Sequence, residues 1–114
     1  MSDELFLKII EREIPADIVF EDDEILAFRD IQPQAPVHVL VIPKRRIATI
    51  NELEDDDAGL VGRMVLTARR IAADEGLDKD GYRLVINCNE NGGQSVYHIH
   101  LHLLGGRRMK WPPG

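Results

Sequence analysis

Residues 96–105 read VYHIHLHLLG, with histidine at every second position from 98 to 102 and an apolar residue between. Successive side chains of an extended strand point to opposite faces, and neighbours on one face stand about 6.6 Å apart. As a strand, this run lines up His98, His100 and His102 on one face. It sends Tyr97, Ile99, Leu101 and Leu103 to the other, toward a core. A slip of one residue would exchange the two sets, so the alternation fixes the register. The chain's only other histidine is His38.

The remaining chain supplies elements to pack against such a strand. Residues 1–14 carry apolar side chains at Leu5, Phe6, Ile9 and Ile10, a helical stripe with Ser2 or Asp3 as cap and Pro15 as its end. ADIVFEDD and EILAFRDI read as a hairpin, QPQAP as a turn-rich connection, and VHVLVIPK as a strand stopped by Pro43. From Asp56 to Glu75 the apolar residues Leu60, Val61, Met64, Val65, Ala68, Ile71 and Ala72 occupy one helical arc about 140° wide. Asp55, Asp56 and Asp57 suit the positive end of that helix and Gly76 its termination. YRLVINCN reads as a strand, ENGGQS as a loop, and VYHIHLHLLG as the last strand. This order predicts one α+β domain over residues 1–114, with a mostly antiparallel five-stranded sheet, one short N-terminal helix and one long helix.

Composition narrows the partners. A 12.9 kDa chain with 44% hydrophobic and 30% charged residues is ordinary for a globular protein that buries a core. Its net charge of −6 argues against a nucleic acid polymer as partner. Lys44, Arg45 and Arg46, and Arg107, Arg108 and Lys110, read as solvated loop charge. The single cysteine, Cys88, cannot form an internal disulfide, which points to a reducing compartment. No stretch approaches the roughly 18 apolar residues of a membrane span, and MSDELFLKII lacks the basic region of a secretion signal. A cytoplasmic protein without membrane contact is expected.

Three uses of the histidine row compete. A merely polar outer face would be served as well by threonine, lysine or glutamate. A zinc site could use a His-x-His pair, but His98 and His102 would stand about 13 Å apart on a strand, and only His38 could supplement them. The third use is handling of a phosphorus centre, which needs contacts spread along a line. One imidazole attacks while its neighbours donate hydrogen bonds or manage a proton. Neutral imidazole is available at pH 7 because its ordinary pKa is about 6.5. Immediately before the row, Gly92 and Gly93 let backbone N–H groups approach an anion, and Gln94 and Ser95 add donors. This placement favours the third use, with no metal and no cofactor.

The residues His98-Ile99-His100-Leu101-His102-Leu103-Leu104 match the signature His-φ-His-φ-His-φ-φ (φ apolar). The chain thereby resembles the histidine triad superfamily. Its KIIEREIPADIVFEDDEILAFRDIQPQAPVHVLVIPK, GGQSVYHIHLHLLGGRRM and closing WPPG are similar to the branch known as Hint. The resemblance implies the fold of that superfamily and a homodimer that hydrolyses the P–N bond of purine nucleoside 5′-phosphoramidates, such as adenosine 5′-monophosphoramidate. It implies His100 as nucleophile through a nucleotidyl-histidine, His102 on the phosphate, and His98 and His38 as hydrogen-bonding and proton-managing support. Gly93, Gln94 and Ser95 would line the phosphate and leaving-group side, Asp30 would hold the ribose, and Asn87 would bind on the same side. The purine would lie among Phe6, Ile9, Ile14, Phe28 and Ile31. The tail, residues 105–114, would lie near the dimer interface and carry Trp111 toward the partner's site. Arg29 and Lys110 stand where animal Hint proteins carry histidine, at positions expected near the rim. The alternatives are a dinucleoside polyphosphate hydrolase of the Fhit kind and a nucleotide-binding dimer with incidental hydrolysis.

Overall fold

A computed structural model describes residues 4–114; the expected cap at Ser2 or Asp3 lies outside them. The first helix, α1 (Leu5–Ile10), is shorter than the stripe suggested. It ends before Pro15 because Arg12 turns the chain at φ 65°. Strands β1 (Ile18–Glu21) and β2 (Ile25–Arg29) form the hairpin, pinned at its turn by Asp22 Oδ1, which accepts from the N–H groups of Glu24 and Ile25. Strand β3 (Val37–Pro43) follows, then the long helix α2 (Ala58–Asp74), β4 (Tyr82–Val85), the one-turn helix α3 (Asn89–Gly92) and β5 (Leu101–Gly105).

The sheet order is β1-β2-β3-β5-β4, with every neighbouring pair antiparallel. The α+β architecture with five antiparallel strands, one short N-terminal helix and one long helix is the one expected. Odd-numbered residues of the central strands face α2: Met64, Ala68, Ile71 and Ala72 pack on Ile25, Ala27, Val39, Val41, Leu101 and Leu103. Even-numbered residues face α1, where Phe6 and Ile9 cover Leu26, Phe28, Leu40 and Ile42. Both faces of the sheet are therefore dry at its centre.

Local chemistry moved three boundaries. The aspartate run forms a 3₁₀ turn, Asp55–Asp57, ahead of α2. Asp57 Oδ2 accepts from the Glu54 N–H at 2.8 Å, which closes a capping box on that turn. The expected ENGGQS loop contains α3, ended by Gly93 at φ 81° in the left-handed region. The last strand starts at Leu101 rather than at Val96. Before that point the chain is tied differently: the Ile99 N–H donates to Ile47 O at 2.6 Å. Ile99, Leu101 and Leu103 are all buried, so the apolar side of the alternation enters the core as expected.

Candidate active site

His38 on β3 and His102 on β5 lie on the α1 face of the sheet, offset by two residues, since His38 pairs with Leu104 and Leu40 with His102. This diagonal brings His38 Nε2 to 2.9 Å from His102 Nδ1. His98 and His100 come from the segment just ahead of β5. Phe6 of α1 packs its ring edge to face with both, at 5.8 and 5.0 Å between centroids. The His100 and His102 rings are 4.8 Å apart. All four histidines thus form one cluster under α1. The histidine side of the alternation is not an open polar face: His98 is 0% and His100 5% exposed.

Burial fixes the charge. Desolvation pushes His38, His98 and His100 below the ordinary imidazole value, opposed at His38 by Asp30, at His98 by its bond to Pro43, and at His100 by its bond to the His98 carbonyl and by Asp30. His102 falls to about 4, through burial first and then its neighbours His100 and His38. The rings are neutral at pH 7, and each holds one proton.

Hydrogen bonds then decide which nitrogen carries it. The Gln34 N–H donates to His38 Nδ1 at 3.0 Å, so Nδ1 is bare and the proton sits on Nε2. His38 Nε2–H therefore donates to His102 Nδ1, which leaves the His102 proton on its own Nε2. That buried Nε2 has no partner among the described residues. His100 Nδ1–H donates to the His98 carbonyl at 2.8 Å, which leaves His100 Nε2 as a bare lone pair. His98 Nε2–H donates to Pro43 O at 2.7 Å, holding the segment to the end of β3. The cluster presents a nucleophilic nitrogen on His100 and an unpaired N–H donor on His102.

The other expected residues divide. Asp30 closes β2 with its N–H on His38 O, its Oδ1 on the Gln32 N–H, and its Oδ2 3.5 Å from His38 Nε2. Gly93 and exposed Ser95 flank Gln94, which is buried. The Gln94 side chain is no free donor: Oε1 accepts from the Asn89 N–H, and Nε2 donates to the carbonyls of Ala48 and Val96. It shapes the loop rather than reaching outward. Asn87 is half-buried two residues beyond β4, with Gly92 seated on its backbone. Phe6, Ile9 and Phe28 belong to the core and Ile14 borders it, whereas Ile31 is 91% exposed. Trp111, 81% exposed, does not cap its own core; the Arg83 guanidinium lies 6.0 Å from its ring.

Arg29 corrects the expectation of a rim residue. It is an odd position of β2, on the face opposite the histidines, and it forms a forked pair with Glu75 at 3.2 and 2.9 Å. Lys110 is exposed, and its carbonyl accepts from Arg83 Nη2 at 2.9 Å. Gln34 and Arg83 escaped the sequence reading, and Arg107, expected as solvated loop charge, donates to the Gln34 carbonyl. Gln34 acts through its backbone, which no side-chain pattern marks.

Among the described residues, Asp30, His38 and His102 offer donor atoms within 4.8 Å of one another, a set able to hold a metal ion. The two ring nitrogens are at hydrogen-bond distance, 2.9 Å. Nitrogens sharing a tetrahedral zinc stand roughly 3.4 Å apart, so a metal would have to spread the rings and displace their shared proton. No helix among the described residues is long and apolar enough to cross a membrane.

Comparison with known proteins agrees with this geometry. The chain is 61% identical to an uncharacterized HIT-like protein of Synechococcus elongatus, over 99% of this chain and 98% of that one. It is 56% identical to the purine nucleoside phosphoramidase of Escherichia coli, over 92% and 88% of the two chains. The crystal structure of a HIT family hydrolase from Legionella pneumophila Philadelphia 1 superposes with a TM-score of 0.95 at 63% identity, covering 96% of this chain and 98% of the other. The HIT domain model matches residues 11–109, which include all four histidines and the whole five-stranded sheet, and with these the chain belongs to the HIT domain family.

Proposed function

We propose that this protein is a hydrolase that cleaves the P–N bond of purine nucleoside 5′-phosphoramidates, as a homodimer and through a nucleotidyl-histidine. One observation carries the reading: His100 Nε2 is bare while, on the adjacent ring, His102 Nε2 holds an unpaired proton. The identity to the E. coli phosphoramidase supports the choice of substrate.

His100 Nε2 attacks phosphorus, a bond forms between them, and the bond to the amine breaks. Attack puts positive charge on the ring, and the His98 carbonyl stabilises it at Nδ1–H. The His102 Nε2–H donates to a nonbridging oxygen as charge builds there, the place where a preset donor lowers the barrier most. The amine leaves with a proton taken from solvent. Water then cleaves the new phosphorus–nitrogen bond and returns a proton. Asp30 would hold the ribose, Gly93 and Ser95 the phosphate side, and Trp111 the amine side of the partner's site. A cytoplasmic setting suits the lone thiol.

Purified protein should turn over adenosine 5′-monophosphoramidate in excess EDTA, and His100→Ala should abolish turnover. Mass spectrometry after quenching without acid should find nucleotide mass on the peptide carrying His100. Loss of turnover on chelation, restored by zinc, would replace this reading with a metal-dependent one. Tight nucleotide binding with neither turnover nor adduct would make the protein a nucleotide-binding dimer.

A further inference from the structure

The connection between β2 and β3 is tied to the C-terminal tail, and that tie ends on the imidazole pair. Arg107 donates to the Gln34 carbonyl through Nε at 3.2 Å and Nη2 at 3.0 Å. The Gln34 N–H reaches His38 Nδ1. The Gln34 side-chain amide donates to Gln32 O at 3.0 Å, and the Gln32 N–H is held by Asp30 Oδ1 at 2.8 Å. The tail approaches this loop at Gly106, where φ is +90° and an added Cβ would stand 2.8 Å from Pro36 Cβ. A glycine there is what lets the Arg107 fork close on the loop.

The Gln34 N–H decides how protons are arranged in the pair. If it moved away, His38 could carry its proton on Nδ1 and accept at Nε2. His102 would then have to donate from Nδ1, and its Nε2 would turn from a donor into a lone pair. A lone pair repels phosphate oxygens where a donor would hold them.

We propose that Arg107 is a positioning residue: by gripping the Gln34 carbonyl it keeps the Gln34 N–H on His38 Nδ1, and so keeps the His102 proton on the nitrogen that meets the phosphate. Its kinetic consequence rests on the phosphoramidase reading; its effect on the protons does not. Arg107 is exposed and acts through Gln34, His38 and His102 in turn.

The test reads protons and turnover separately in the 114-residue chain. Nitrogen-15 spectra of labelled histidine should show wild-type His38 and His102 each protonated at Nε2. Arg107→Met should mix or invert these tautomers and lower kcat roughly tenfold or more, with a smaller change in KM. Arg107→Lys, keeping one donor, should recover part of both effects. Arg108→Met removes the same charge one residue away and should change neither. Unchanged tautomers in Arg107→Met overturn the proposal, whatever happens to kcat. Inverted tautomers in a protein whose wild type never cleaves a phosphoramidate would uphold it and overturn the substrate assignment instead.

Discussion

His102 shows how one side chain links function to stability. Its folded-state pKa is about 4 against an ordinary 6.5, so between these values the unfolded chain binds a proton that the folded chain refuses. Its contribution to stability is whole above pH 6.5 and is lost as the pH falls toward 4. At about 1.4 kcal/mol per unit, the loss is at most roughly 3–4 kcal/mol. His38, His98 and His100 shift the same way and add to it. Urea unfolding at pH 7.5 and pH 5 should show wild type losing more stability than His102→Asn over that interval. Turnover should stay level from pH 8 to below 6.5 and fall only beyond it, since His100 must be unprotonated to attack. The identity of these residues was legible in the sequence because alternation and composition mark them. Their tautomers were not, because the Gln34 N–H and the carbonyls of His98 and Pro43 set them, and any residue type carries those groups.

At the scale of elements, helix α1 has six residues, too few to persist alone. It is held by Phe6 and Ile9, and Phe6 is also the wall behind His98 and His100. Phe6→Leu should therefore leave the fold intact with a modest loss in Tm, yet lower kcat several-fold by loosening the His100 ring; thermal melts and steady-state rates would separate the two effects. On the other face, Met64→Ala in α2 should cost about 2–5 kcal/mol, as for other buried large-to-small changes. The long helix was legible because its apolar residues recur with helical period. The aspartates at its start were legible as helix-start residues, and they form a 3₁₀ turn in which Asp57 closes a capping box on Glu54. The last strand was drawn too long because alternation persists through 96–100, while the hydrogen-bond ladder begins at Leu101.

For the whole molecule, the arc on α2 divides: Met64, Ala68, Ile71 and Ala72 enter the core, but Val65 remains 38% and neighbouring Leu66 51% exposed. Strand β4 lies at the sheet edge beside the tail. These surfaces suit the proposed homodimer, and sedimentation should give twice the mass of the 12.9 kDa chain. Val65→Glu should shift that mass toward a single copy while circular dichroism is preserved. Trp111→Ala, at an exposed position, should leave Tm unchanged within about a degree and alter KM most for substrates with bulky amines. The strand order has a temporal consequence as well. His38 and His102 are 64 residues apart in the chain, and β5 inserts between β3 and β4, which do not pair with each other. A growing polypeptide therefore cannot assemble the reactive imidazoles until that strand has docked. Chemical competence arrives together with completion of the sheet, and partly made chains lack the proposed activity.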